Sequence, residues 1–254
     1  NYSSANNVLL GAEDSPALCY ASLVGSKMGS EVYNLGKCGS DTEDLVNMLT
    51  APSNMYYGAY QSYIGSSDLI TLDIGSNDLL FDVLRAVMSC IDPSYANMTN
   101  EDLMAVAAPI FAGDFSPDSI EAIIAEMEAL FGDITLEQAA AIAATLSDES
   151  LTAILEASYA EFLGDFPLAV QALRSISPDA ELVILNYYNP YGKVNFSYNG
   201  VDYHIGAVLQ VFIDRMNSYT RSFSQQNGYV YVDISRTLTN GADPHPSTAG
   251  HAKI

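Results

Sequence analysis

Leu69-Ile-Thr-Leu-Asp-Ile-Gly-Ser-Asn-Asp78 carries a short apolar stretch straight into a Gly-x-Asn-Asp turn. Apolar, β-branched runs of this length, bounded by turn residues, form buried strands. The strand here spans Asp68–Ile74, and three further segments read the same way, so that the four in chain order are Glu31–Leu35, Asp68–Ile74, Glu181–Asn186 and Tyr229–Ile234. Helical stretches separate them, notably Pro16–Met28 and Ile205–Gln226. Strands alternating with helices imply a parallel sheet covered on both faces. Such sheets bind ligands beyond the carboxyl ends of their strands. Gly39, Gly75 to Asp78, and Asp243-Pro-His245 each follow a strand, so they are expected on one rim.

At 254 residues, the chain accommodates one α/β domain with an insertion. Hydrophobic residues make up 49%, enough for a packed core. A net charge of −22 excludes the clustered Lys and Arg that nucleic acid requires, and disfavours anionic membranes. No apolar run reaches the roughly 18–20 residues of a membrane span, and the polar opening Asn1-Tyr-Ser-Ser4 holds no signal peptide. Cys19, Cys38 and Cys90 allow at most one disulfide and suit neither a zinc site nor a redox pair, which favours buried free thiols. Sequons at Asn1, Asn97 and Asn195 and a scarcity of Lys point weakly to a secreted or cell-surface protein.

The second and third strands are separated by far more than the dozen or so residues a crossover requires. The surplus, residues 81–158, reads as an acidic helical insertion. Its punctuation is clear. Thr99 precedes Asp102, Ser116 precedes Pro117, and Thr135 with Gln138 forms a capping box. Ile120, Ile123, Ile124, Met127 and Leu130 make one apolar stripe, which Gly132 ends. From Phe81 to Asp165 there are 16 acidic residues and one basic residue, Arg85. The insertion is a solvated decoration, a lid over the rim, or a dimer contact. A second, small insertion at residues 193–203 reads as a hairpin turning at Asn199-Gly200.

Acyl transfer needs a nucleophile, a base to take its proton, and donors aimed at the developing oxyanion. In Gly241-Ala-Asp-Pro-His-Pro-Ser-Thr-Ala-Gly-His251, prolines hold the backbone around His245, and Asp243 is near enough to orient its ring. The amide of Asn77 and the backbone N–H of Gly39, at a helix start, are candidate oxyanion donors. Elsewhere the residues have structural readings. His204 belongs to the hairpin, and His251 sits on the last helix. Asp78 ties its turn, Ser40 to Glu43 cap a helix, and Asp73 with Asp78 lacks a third metal ligand.

In this order, the turns resemble those of the SGNH, or GDSL, hydrolases. The resemblance implies a three-layer α/β/α sandwich with a flavodoxin-like parallel sheet ordered 2-1-3-4-5. It implies a serine-dependent carboxylic ester hydrolase working through an acyl-enzyme, with no cofactor and no metal. Gly39 and Asn77 match the family's oxyanion residues, and His245 its base. Asp243 lies two residues before the histidine, where the family's acid usually lies three before, so a backbone carbonyl is the other candidate partner. The family's Gly-Asp-Ser nucleophile block has no clean copy here. The nucleophile is therefore expected upstream of Asn1, or else at Ser15 in Gly11-Ala-Glu-Asp-Ser15. Substrates in this family include lipid, thioester and O-acetyl-carbohydrate esters, and a non-catalytic binding protein on the same scaffold is the competing class.

Overall fold

Leu69–Leu72 form strand β1 because their alternating side chains find apolar partners on a parallel neighbour, β2 (Glu181–Leu185). Ile70 and Leu72 lie opposite Leu182 and Ile184, both almost fully buried. Burying each such side chain stabilises the fold by about 1.5–3 kcal/mol. A third parallel strand, Val230–Val232, pairs with β2, giving a small sheet in which β2 is central. The computed structural model describes residues 19–37, 39–112, 120–236, 239–240 and 243–254.

The elements run in alternation, as expected. Helices α1 (Tyr20–Met28), α2 (Thr42–Thr50) and α3 (Tyr57–Gly65) precede β1, and α4 (Ser76–Ser89) follows it. Then come α5 (Asn100–Ala112), α6 (Ile120–Phe131), α7 (Leu136–Thr145) and the long α8 (Asp148–Ile176) before β2. After β2 come the hairpin β3 (Phe196–Tyr198) and β4 (Val201–Tyr203), then α9 (Ile205–Asn227) and β5 (Val230–Val232). A second hairpin, β6 (Thr239–Asn240) with β7 (Asp243–Pro246), leads to α10 (Thr248–His251).

Helix α8 is the main support of the sheet. Phe162, Phe166, Ala169, Val170 and Leu173 are buried along it, and α2, α4 and α9 pack against it. On the opposite side of β1, α1 is fastened by the Tyr20 hydroxyl, 3.4 Å from Thr71 Oγ1. Thr71 alternates with Ile70 and Leu72, so this contact lies on the other face of the sheet.

One expectation changes. Glu31–Leu35 is irregular and makes no ladder among the described residues. A strand exists only where a neighbouring strand takes its backbone bonds, and here the Leu35 carbonyl accepts from the Tyr60 hydroxyl at 2.5 Å. Among the described residues the main sheet holds three strands, in the order β1-β2-β5, rather than the five expected. The insertion's expected ends, residues 81 and 158, both fall inside helices, α4 and α8, whose apolar faces continue into the core. Asp243-Pro-His245 forms a strand of the second hairpin, with Asp243 opposite Asn240.

Within the insertion, local signals fold as read. Thr135 and Gln138 make a capping box, Thr99 Oγ1 accepts from Asp102 N at 3.1 Å, and Gly132 ends α6 at φ +86°. Ser116 and Pro117 lie outside the described residues. The 193–203 hairpin is present, turning through Asn199 and Gly200, both at positive φ. No helix among the described residues is long and apolar enough to cross a membrane. Cys19 and Cys90 are free thiols, and Cys38 lies outside the described residues.

Candidate active site

Two helix N-termini meet at the carboxyl end of β1. The first belongs to α4, whose entry residue Gly75 has φ +122°. A Cβ there would stand 2.7 Å from the Tyr187 hydroxyl and 3.0 Å from the Phe162 ring, so only glycine fits. This tight entry sets Asn77 and Asp78 in the first turn of α4. The second belongs to α2, capped by Asp41, whose Oδ1 accepts from Asp44 N at 2.9 Å. Gly39, just before that cap, is buried and adopts φ +79°. Its amide donates to no backbone carbonyl among the described residues.

The two turns are tied together by hydrogen bonds. Asn77 Nδ2 donates to the Ser40 carbonyl at 2.7 Å. A primary amide carries two protons on that nitrogen, so the second remains for a ligand. Asp78 Oδ2 accepts from the Thr42 backbone amide at 3.1 Å, and Oδ1 accepts from the Thr42 hydroxyl. Burial pushes the Asp78 carboxyl up to about 7; the Thr42 bonds pull it back, and Asp41 adds to the rise. The expected role of Asp78 as a tie is what the structure has, though it binds the neighbouring turn rather than its own.

A cavity of about 1080 Å³ opens at this junction. Gly39, Ser40, Asn77, Pro246 and His251 line it. The backbone of His245 thus sits in a strand whose next residue borders the same cavity as both expected oxyanion donors. The side chains of Asp243 and His245 lie outside the described part of the molecule, as does Ser15 altogether. His251 is where expected, on the last helix, buried, with its ring stacked on Tyr20 at 6.3 Å. His204 is structural: its Nδ1 lies 2.7 Å from Asp148 Oδ2, joining the hairpin to the start of α8. The described residues contain no cluster fit to hold a metal ion.

Sequence reading missed the insertion's hold on the turn that carries Gly39. Asn100 Nδ2 donates to Asp41, Lys37 pairs with Glu101 at 3.0 Å, and Arg85 bridges Asp82 and Asn100 at 2.7 and 2.6 Å. A Cβ at Gly39 would sit 3.7 Å from Met104 Cβ and 3.8 Å from Asn100 O. Only the solitary Arg85 in an acidic region hinted at such a fastening.

No family model matches the chain, and no curated protein does. Among solved structures, a phospholipase A1 from Streptomyces albidoflavus NA297 is 18% identical, at TM-score 0.46, covering 99% of this chain and 91% of that one. An extracellular lipase from Streptomyces rimosus is 17% identical, at TM-score 0.47, covering 100% and 90%.

Proposed function

We propose that the protein hydrolyses carboxylic esters through a covalent acyl-serine. The carrying observation is the Asn77–Ser40 hydrogen bond, which holds the Asn77 amide against the turn that presents the Gly39 N–H. Two donors at one point, beside two helix N-termini, suit a carbonyl oxygen that becomes negative as it is attacked. His245 takes the serine proton as the Oγ–carbon bond forms. It returns that proton to the departing alcohol, then activates the water that frees the acid. Asp243 orients the imidazole.

The nucleophile in this proposal is a serine at the end of an extended segment lying along β1, either one preceding Asn1 or Ser15. Support comes from the sheet, where β1 pairs only with β2 among the described residues, and from the cavity that β1 and Val32–Leu35 both border.

The test treats the intact protein with a fluorophosphonate probe and maps the labelled peptide. Labelling of one serine, slowed when excess ester substrate is present during the reaction, is the expected result, and its position names the nucleophile. A folded protein that takes no label refutes the proposal in favour of a non-catalytic scaffold.

A further inference from the structure

The geometry points to a substrate class: esters of medium or long acyl chains, bound along α4 beneath the insertion, an inference that rests on ester hydrolysis at this site. On α4, Leu80, Val83, Leu84 and Val87 recur at helical spacing, so they form one stripe, and all four line the cavity. The stripe starts beside Asn77 and leads away from it. From Asn77 to Val87 the helix rises about 15 Å, the reach of a fatty acyl chain rather than of an acetyl group.

The opposite wall comes from the insertion. Met104 on α5 and Ile123 and Met127 on α6 line the same space. Met104 is also the insertion side chain that stands next to Gly39, so a carbonyl held by the Gly39 and Asn77 donors would direct its acyl chain past it. No charged side chain interrupts the α4 stripe on the cavity side. Arg85 is turned away to Asp82 and Asn100, and Asp82 is held by Arg85 and the Ser158 hydroxyl. Helix α5 also packs against β7, the strand carrying His245. The insertion therefore borders the site on two sides, and its apolar inner face sets acyl-chain length.

An added or removed methylene in an apolar pocket changes specificity by roughly 10–200-fold. The test measures kcat/KM of the intact protein on p-nitrophenyl decanoate and acetate, and compares their ratio across variants. Val83→Phe, which plugs the channel midway, should lower the decanoate-to-acetate ratio at least tenfold. Met104→Ala, which widens its entrance, should raise the ratio severalfold, and it decides the matter if Val83→Phe does not fold. Leu136→Ala, 92% exposed on α7, should leave the ratio unchanged. A ratio within twofold of the parent in both cavity variants would overturn the channel. A protein that takes the fluorophosphonate and cleaves acetate but rejects decanoate would overturn it while leaving ester hydrolysis standing. A protein that cleaves neither ester and takes no label would end both.

Discussion

Replacing Asp78 by Asn should remove a distinctive pH dependence from the stability of this protein. Asp78 is enclosed between α4 and α2, and burial raises its carboxyl from 3.8 to about 7. Below both values the group is protonated whether the chain is folded or not, and it contributes no penalty. As pH rises through the unfolded value, the unfolded chain releases its proton while the folded one retains it. Stability is therefore lost between pH 4 and 7. A displacement of this size corresponds to about 4 kcal/mol across the window, an upper figure because Asp78 keeps partial contact with solvent. The carboxamide of the Asp78→Asn variant cannot titrate. It also turns an amide group toward one of the two Thr42 donors, an offset that is constant with pH. The assay is urea unfolding of both proteins at half-unit steps from pH 4 to 8. The wild-type stability minus that of the variant should fall steadily across the range, by roughly 1 kcal/mol per pH unit in its steepest part. A flat difference would refute the claim that Asp78 enters the folded state at an energetic cost.

Two further outcomes bear on the site. Asn77→Ala should lower kcat by roughly 10²–10³, about 3–4 kcal/mol, with little change in KM; a rise in KM alone would make Asn77 a substrate-binding group. His245→Ala should cost on the order of 10⁴-fold or more in kcat on p-nitrophenyl acetate without unfolding the chain, and retention of a tenth of the activity would remove it as the base.

Much of this was legible because it is local. The β1 run, the Gly75 turn, the capping box at Thr135 and the Asn199-Gly200 hairpin each declare themselves within a few residues. Glu31–Leu35 shows the limit. Its composition fits a strand, but strand status depends on a neighbour elsewhere in the chain. The insertion's edges illustrate a related point: a helix such as α8 can serve two layers in succession, and its apolar spacing does not change where the layer does. Least legible were the ties that build the site. Thr42 and Asp78 are 36 residues apart, and Asp41 and Asn100 are 59 apart. No periodicity links them, only the crossing of α2, α4 and α5.

Helix α8 has one more consequence. Its 29 residues have Leu151 and Leu155 buried near one end and Phe166 to Leu173 near the other, in a single apolar cluster that also holds Ile142, Ile184 and Met127. An appendage joined to a domain by a linker can be gained, lost or unfolded alone. Here the two share a spine. The acidic helices cannot loosen without drawing Leu151 and Leu155 into water, and a register shift anywhere in α8 would reach the sheet and the insertion together. Changes that suit the insertion to a new substrate are thus filtered by the stability of the whole molecule.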